Sequence, residues 1–395
     1  MMHTLYSLEG SQFRIEVLAE PKIQKFIDAH AGVLDSTFKK VGMSDAMRKR
    51  LQRSDYIFSG MKTFHELNEA FPSLLDENGE RKTFEAFLND VRKIDKTYNS
   101  NYLRAEYNFV QSSAEMAAKW ERFSEDGDRY NLQYRTAGDG KVRPEHAALN
   151  GVTLPPSDPF WEEYYPPNGW NCRCTVVQVR KSKYPTTPHD EAMALGEEAL
   201  QRDTKGIFHF NPGKEDKTVP DYNPYTIRRC RDCDIAKGKI KLARFVPENE
   251  LCAACKLLHK CVGDKEKSER AIERTHYLHE MEPLLEKSSM LKTENKEIKV
   301  GFTKEGNKHL FSDTFGRSSV LTKEDLASLD QALQTATFIE SSGLTHPRKD
   351  DIDRFFYYEA EIRGHKVKLN VARKVKKRDN GKIQEYHFLY SINDI

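Results

Sequence analysis

The spacing of apolar residues changes along the chain, and this change is what most constrains the fold. In the N-terminal part, apolar residues recur at steps of three and four. They are Phe84, Phe87, Val91, Ile94, Tyr98, Leu103, Tyr107, Val110, Ala114 and Ala117. This spacing forms one face of a helix and predicts two helices with a break near Asn99 and Ser100. Further helices are expected at Lys22–Phe38 and around Met43–Leu51, so this part is predicted to be mainly helical.

In the C-terminal part the apolar residues alternate with polar ones, as in strands with one buried face. The alternating sets are Phe356, Tyr358, Ala360 and Ile362, then Val367, Leu369 and Val371, then Phe388, Tyr390 and Ile392. Gly364 and Asp379-Asn380-Gly381 are expected turns. Upstream, Thr322 and Asp325 are typical of a helix N-terminus, with Leu326, Leu329 and Leu333 on one face. A helix followed by an antiparallel meander is an α+β layout.

Length and texture together predict a multidomain α+β protein. A chain of 395 residues favours two or three domains over one core. Gly, Pro, Asn and aromatic residues dominate from Gly138 to Asn223, with one expected helix at Asp190–Arg202. The predicted domains are residues 1–225 (helical to about 130, loop-rich core 131–225), a cysteine module at 226–263, and an α+β domain with an antiparallel sheet at 275–395.

Total charge points to no class of partner, because 63 Lys and Arg nearly balance 61 Asp and Glu. The N-terminus lacks the basic and apolar regions of a secretory signal, and no stretch approaches the length of a membrane span. We therefore expect a protein that is made in the cytoplasm and has no membrane partner.

One ordered string carries a family resemblance. The sequence from Tyr134 to Cys174 is YRTAGDGKVRPEHAALNGVTLPPSDPFWEEYYPPNGWNCRC, and two shorter pieces accompany it, YIFSGMKTFHELNEAF at Tyr56–Phe71 and FHFNPGK at Phe208–Lys214. Together they resemble the phage Mu F-like head morphogenesis family over roughly residues 20–225. The resemblance implies a minor head protein of a phage or prophage that has portal and capsid proteins as partners. It also implies a location in the virion, in the capsid interior or near the portal.

Within this string the signature residues Arg135, His146, Trp161, Cys172 and Cys174 are interpreted as structural. The turn residues 166–169 are expected to bring Trp170 and both cysteines to one place. Two interpretations stay open. In the first, His146 and the two cysteines hold a zinc ion, although the C-x-C spacing is tighter than common zinc spacings. In the second, His146 and Arg143 are structural residues that support the aromatic loop through hydrogen bonds. No catalytic role is expected here.

All seven cysteines lie between Cys172 and Cys261, mostly in close pairs, which favours metal ligation over disulfides. Cys230-x-x-Cys233 and Cys252-x-x-Cys255 are separated by 18 residues, as in a structural zinc ribbon. We expect these four thiolates to bind one structural zinc ion, with His259 and Cys261 as substitutes. The alternatives are reduced buried thiols or a redox pair.

Residues 363–382 hold nine Lys or Arg and one acid, Asp379, on the predicted hairpin. The residues expected to contact nucleic acid are Lys366, Lys368, Arg373, Lys374 and Lys376. Alternation predicts that Lys366, Lys368, His387 and Ser391 share one polar face, opposite Phe388, Tyr390 and Ile392. Cations beside a histidine are the minimum parts for metal-independent RNA cleavage.

Residues 275–395 also resemble the phage nuclease group related to barnase, EndoU, RelE and colicin ribonucleases. The resemblance rests on KHLFSDTFGR at Lys308–Arg317, a helix, and YHFLYSI at Tyr386–Ile392. It implies a ribonuclease effector with His387, Ser391, His309 and Lys368 as catalytic candidates. The alternative is a purely structural protein whose basic C-terminal domain binds packaged DNA or capsid partners without catalysis.

Overall fold

A computed structural model describes residues 1–7, 13–203, 206–221, 223–225, 248–315, 321–343, 351–377 and 383–394 of the chain. These residues divide into two compact units, Met1–Asp264 and Lys265–Ile395. Each unit has a hydrophobic core of its own, so each is described separately below. None of the helices in the described ranges is long and apolar enough to cross a membrane.

The first unit begins with helices packed around one core. They are α1 (Met2–Tyr6), α2 (Pro21–Asp35), α3 (Asp45–Ala70), α4 (Phe84–Lys96) and α5 (Leu103–Asp126). The side chains of Ser44 and Thr83 accept backbone N–H groups at the starts of α3 and α4, as N-cap residues do. The prediction around Met43–Leu51 found the start of α3 but placed its end about five turns too early. The helix is buried on nearly all sides from Asp55 to Leu67, so it carries no polar stripe to mark it.

The predicted break near Asn99 is a π-helical turn at Thr97–Tyr102 between α4 and α5. The wider turn places Tyr98 in the core and lets Asn99 donate to Glu66 on α3. Such π-helical turns are often found at functional sites.

The second part of the unit is built on a small antiparallel sheet of order β2-β1-β3. Its strands are β1 (Asn131–Arg135), β2 (Thr153–Leu154) and β3 (Thr175–Val179). Short helices surround it: α6 (Pro144–Ala147), α7 (Phe160–Glu163), α8 (His189–Leu200) and α9 (Pro212–Glu215). A separate aromatic core lies beneath them. Helix α8 confirms the predicted helix to within two residues at each end.

A long helix, α10 (Glu248–Glu280), follows, and the division between the units falls within it. Its N-terminal part belongs to the first unit. There Leu258 packs on Gly60 of α3 so closely that an added Cβ would overlap it. Its C-terminal part supplies Tyr277 to the core of the second unit.

The second unit is a mixed sheet of order β4-β5-β9-β8-β7-β6. The strands are β4 (Ser288–Lys292), β5 (Glu297–Gly301), β6 (Thr337–Gly343), β7 (Ile352–Ile362), β8 (His365–Lys377) and β9 (Ile383–Asp394), with α11 (Lys304–His309) and α12 (Leu329–Gln334) beside them. The predicted meander is confirmed as β7-β8-β9, and β9 also pairs in parallel with β5. Thr322 and Asp325 form the expected capping box.

Candidate functional site

The signature string forms the interior of the small sheet region. Trp161 is fully buried, its indole N–H donates to the carbonyl of Pro155, and its own carbonyl accepts from Asn211. Tyr134 on β1 is also fully buried and donates to Asn168 Oδ1 at 2.8 Å. Arg135 ends β1, half-buried, in register with Thr175 of β3. These contacts agree with the structural interpretation of the string.

The downstream piece FHFNPGK completes this interior. The Asn211 side chain caps α9 by accepting the backbone N–H groups of Gly213 and Lys214. A Cβ at Gly213 would overlap Trp120 of α5, so only glycine allows this approach. The Asn-Pro-Gly sequence thus joins α5, α7 and α9.

His146, Cys172 and Cys174, which we call the thiol cluster, meet in the same region. His146 Nδ1 lies 3.8 Å from Cys172 Sγ and 3.9 Å from Cys174 Sγ. All three side chains are buried, and their ligand atoms lie within 4.8 Å of one another. Pro144 begins the short helix α6 that carries His146, and β3 starts directly after Cys174. The Cys172-x-Cys174 segment and helix α6 therefore bring both sulfur atoms close to the imidazole of His146.

The surroundings of the cluster favour a thiolate. The Cys174 thiol donates to Cys172, which holds the pKa of Cys172 well below its usual range, and His146 acts in the same direction against the cost of burial. The same pairing raises the pKa of Cys174. Arg143 lies beside Gly169 and donates to the carbonyl of Trp170 at 2.6 Å.

Comparison with known proteins finds a family match in this part of the chain. Residues 77–177 match the model of a family described as Phage Mu protein F like protein. The segment is similar to that family. The matched segment runs from the loop before α4 into β3 and contains the thiol cluster. The resemblance predicted from the sequence covers a longer stretch, roughly residues 20–225.

Two curated relatives point the same way. A stretch of 107 residues is 35% identical to the putative capsid assembly protein F of Escherichia phage Mu, covering 26% of this chain and 21% of that protein. A stretch of 137 residues is 28% identical to the Mu-like prophage FluMu F protein of Haemophilus influenzae, covering 33% of this chain and 30% of that protein. The chain therefore matches less than a third of the length of either relative. No solved structure matches it.

Sequence reasoning missed a buried polar network in the helical part. Lys62 of α3 donates to Glu106 of α5 at 2.5 Å and to His30 of α2 at 3.0 Å, and Tyr225 donates to the second oxygen of Glu106 at 2.8 Å. Burial lowers the pKa of His30, whose Nδ1 lies 2.7 Å from Ser59 Oγ. Burial works against the charged form of Glu106, yet its contacts with His30, Lys62 and Tyr225 hold its pKa below the ordinary value. The one signal in the sequence is Glu106, which lies within the apolar stripe of α5.

The four cysteines expected to bind zinc are only partly described. Cys230 and Cys233 lie outside the described residues. Cys252 and Cys255 lie on α10, and Cys255 is buried in the helical core. The second pair is thus helical, and a zinc-ribbon module at residues 226–263 is not confirmed.

The C-terminal candidates do not meet on one face, which corrects the predicted convergence. Lys366, Lys368, Asn370 and Ser391 share the face opposite the main core, and Asn370 donates to Ser391 at 2.7 Å. His387 lies on the core face instead, with its ring 5.6 Å from that of Phe356. His309 lies on the polar face, stacked on Tyr390 at 4.0 Å and 3.2 Å from Asp313.

A β-bulge in β9 is the physical reason. Asn370 pairs with Ser391 and Val371 with Leu389, so Tyr390 is an extra residue and the alternation of side chains shifts there. His387 and Leu389 therefore face the core, whereas Tyr390 and Ser391 do not. Strict alternation in the sequence gives no sign of a bulge.

Most of the cations on β8 have acidic partners. Lys366 bonds Glu359 at 2.7 Å, Arg373 bonds Asp353 at 2.6 Å and Lys374 bonds Glu305 at 2.9 Å. Lys368 lies 3.8 Å from Glu340 and over the Tyr357 ring, while for Lys376 only the backbone in β8 is described. The strand is less basic in the structure than its composition indicates.

Proposed function

We propose that the chain is a head morphogenesis protein of a phage or prophage and that its first unit assembles with capsid proteins. The observation that carries this proposal is the Mu F-like match at residues 77–177, which coincides with the buried aromatic core around Trp161. One relative is named a putative capsid assembly protein. The finer proposal is a minor component near the portal or the inner capsid wall, with the virion as its location.

Complementation tests the assembly role. Deleting the gene from its prophage should lower the yield of DNA-filled heads, counted by electron microscopy, and the wild-type gene should restore it. Trp161→Ala should fail to restore filled heads, because removing a fully buried Trp costs about 3–5 kcal/mol. Tyr130→Ala, at a surface aromatic, is the matched control and should complement. A normal yield of filled heads after deletion would refute the proposal.

We propose a second, separate activity for residues 275–395, the cleavage of RNA. Its support is a cleft lined by Arg354, Arg373 and Phe356. His387 is paired in register with Arg373, and its Nε2 is buried without a hydrogen-bond partner among the described residues. Burial lowers the pKa of His387 and favours the neutral ring of a general base. In this scheme Arg354 and Arg373 neutralise the phosphate, Arg373 giving up its ion pair with Asp353, and His387, which lies next to the cleft and not in its lining, moves the proton.

The rival is a purely structural C-terminal unit that binds packaged DNA or capsid partners, and the acidic partners of Lys366 and Lys374 favour it. Labelled RNA in EDTA separates the two. If the cleft is the site, His387→Ala lowers the cleavage rate about 10²- to 10⁴-fold, and His309→Ala, on the other face, leaves it unchanged. If His309→Ala lowers the cleavage rate and His387→Ala does not, the site lies on the polar face instead. An inactive wild-type protein would exclude the ribonuclease.

We also propose that Cys230, Cys233, Cys252 and Cys255 bind one structural zinc ion. The second pair is three residues apart near the start of α10, a spacing that places residues on the same side of a helix. The zinc content of the full chain, measured by elemental analysis, tests this proposal.

A further inference from the structure

The thiol cluster has the donor set of a metal centre. An imidazole nitrogen and two sulfurs, all buried, lie within 4.8 Å of one another. Around a tetrahedral zinc ion, with bonds of about 2.3 Å to sulfur and about 2.0–2.1 Å to nitrogen, S···N separations are about 3.6 Å. The observed 3.8 and 3.9 Å are wider by a few tenths of an ångström. Small side-chain shifts would bring all three atoms to an ion.

The backbone aims both cysteines at the same point. Cys172 and Cys174 are two residues apart in a segment leading into β3, and residues at this spacing share a side of an extended chain. Arg173 between them points to solvent and forms a two-point ion pair with Asp139 at 2.6 and 2.7 Å. That ion pair ties the cysteine segment to the loop before α6, which carries His146.

The donor set also matches a divalent ion in charge. Two thiolates and a neutral imidazole bound to a divalent cation make a buried group with no net charge, and each thiol that becomes a ligand releases its proton to the solvent. Sulfur and imidazole donors select zinc over magnesium or calcium.

We propose that His146 Nδ1, Cys172 Sγ and Cys174 Sγ bind one zinc ion that staples the signature loop to β3. The Tyr134 hydroxyl donates to Asn168 and is not counted as a ligand. The three ligand side chains are buried, and the ion would join α6 to the segment that leads into β3. The proposal concerns the purified chain, so it stands or falls independently of head assembly.

Elemental analysis of the full chain tests it, in a background that lacks the other proposed zinc site. Cys230→Ser/Cys233→Ser protein purified without chelators should hold about one zinc per chain. Adding Cys172→Ser should lower this to about a tenth, while adding His189→Gln, at an exposed histidine outside both proposed zinc sites, should not. Less than about half an equivalent in the background protein, or no loss with Cys172→Ser, would overturn the proposal.

A second measurement needs no variant and so does not depend on folding of a mutant. Alkylation followed by mass spectrometry should label Cys172 and Cys174 only after a chelator is added. Equal labelling with and without the chelator, or a Cys172–Cys174 disulfide in the purified protein, contradicts zinc binding.

Discussion

At the scale of single residues, the helical core depends on charges that sequence patterns assign to the surface. Lys62, Glu66 and Glu106 are each at most 3% exposed. Their burial could not be predicted, because charged residues are almost never fully buried unless paired, and the partners come from other helices. The cysteines and His146 could be predicted as a group, since all lie in one string.

Removing one member of the buried pair should be costly. Lys62→Met leaves Glu106 charged and buried, which should lower the free energy of unfolding by about 3–5 kcal/mol. Lys62→Met combined with Glu106→Gln removes both charges and should recover much of the loss. Urea unfolding of the wild type, the two single variants and the double variant measures this. If the double variant is as unstable as the sum of the single ones, the two residues are not coupled.

Glu66 should make stability depend on pH. Burial raises the pKa of Glu66 to about 8, against the hydrogen bond from Asn99. The folded state then binds more protons than the unfolded state between about pH 4.5 and 8, so the free energy of unfolding should fall as pH rises through this window, by at most about 1.4 kcal/mol per unit. Glu66→Gln should flatten this slope. An unchanged slope in the variant would assign the dependence to another group.

At the scale of elements, the sequence predicted those with a regular period and missed those set by tertiary contacts. Helix α2, the helices on either side of Asn99 and strands β7–β9 were all identified from spacing. Strands β4, β5 and β6 were not, because they are short, partly exposed and paired with distant residues. The bulge at Tyr390 also escaped prediction, and with it the face on which His387 lies.

Two glycines with opposite roles test the turn and helix assignments. Gly364 has φ +80° in the tight turn between β7 and β8, so Gly364→Ala should destabilise the protein by about 1–2 kcal/mol. Gly32 lies in α2 with open space around it, and Gly32→Ala should stabilise by about 0.5–1 kcal/mol. Thermal unfolding of both variants should therefore give shifts of opposite sign. Shifts of the same sign would contradict one of the two backbone assignments.

At the scale of the whole molecule, the chain joins a unit that contains the segment similar to the Mu F-like family, residues 77–177, to a second unit with its own core. The α+β class and a C-terminal sheet could be predicted because the apolar period changes along the chain. The proposed assembly role could be inferred only from the ordered signature string, since packed aromatic residues such as Trp161 do not reveal a partner by themselves. The proposed activity of the C-terminal unit depends on which face its histidines occupy, and sequence spacing assigned His387 to the wrong one.

The most direct test of the central claim is quantitative mass spectrometry of purified particles. Procapsids and mature heads from the induced prophage are separated on gradients, and peptides from residues 77–177 are measured against the major capsid protein. Assembly into the head predicts the protein in procapsids at a low and constant ratio to the major capsid protein. Its absence from both procapsids and mature heads would contradict the account.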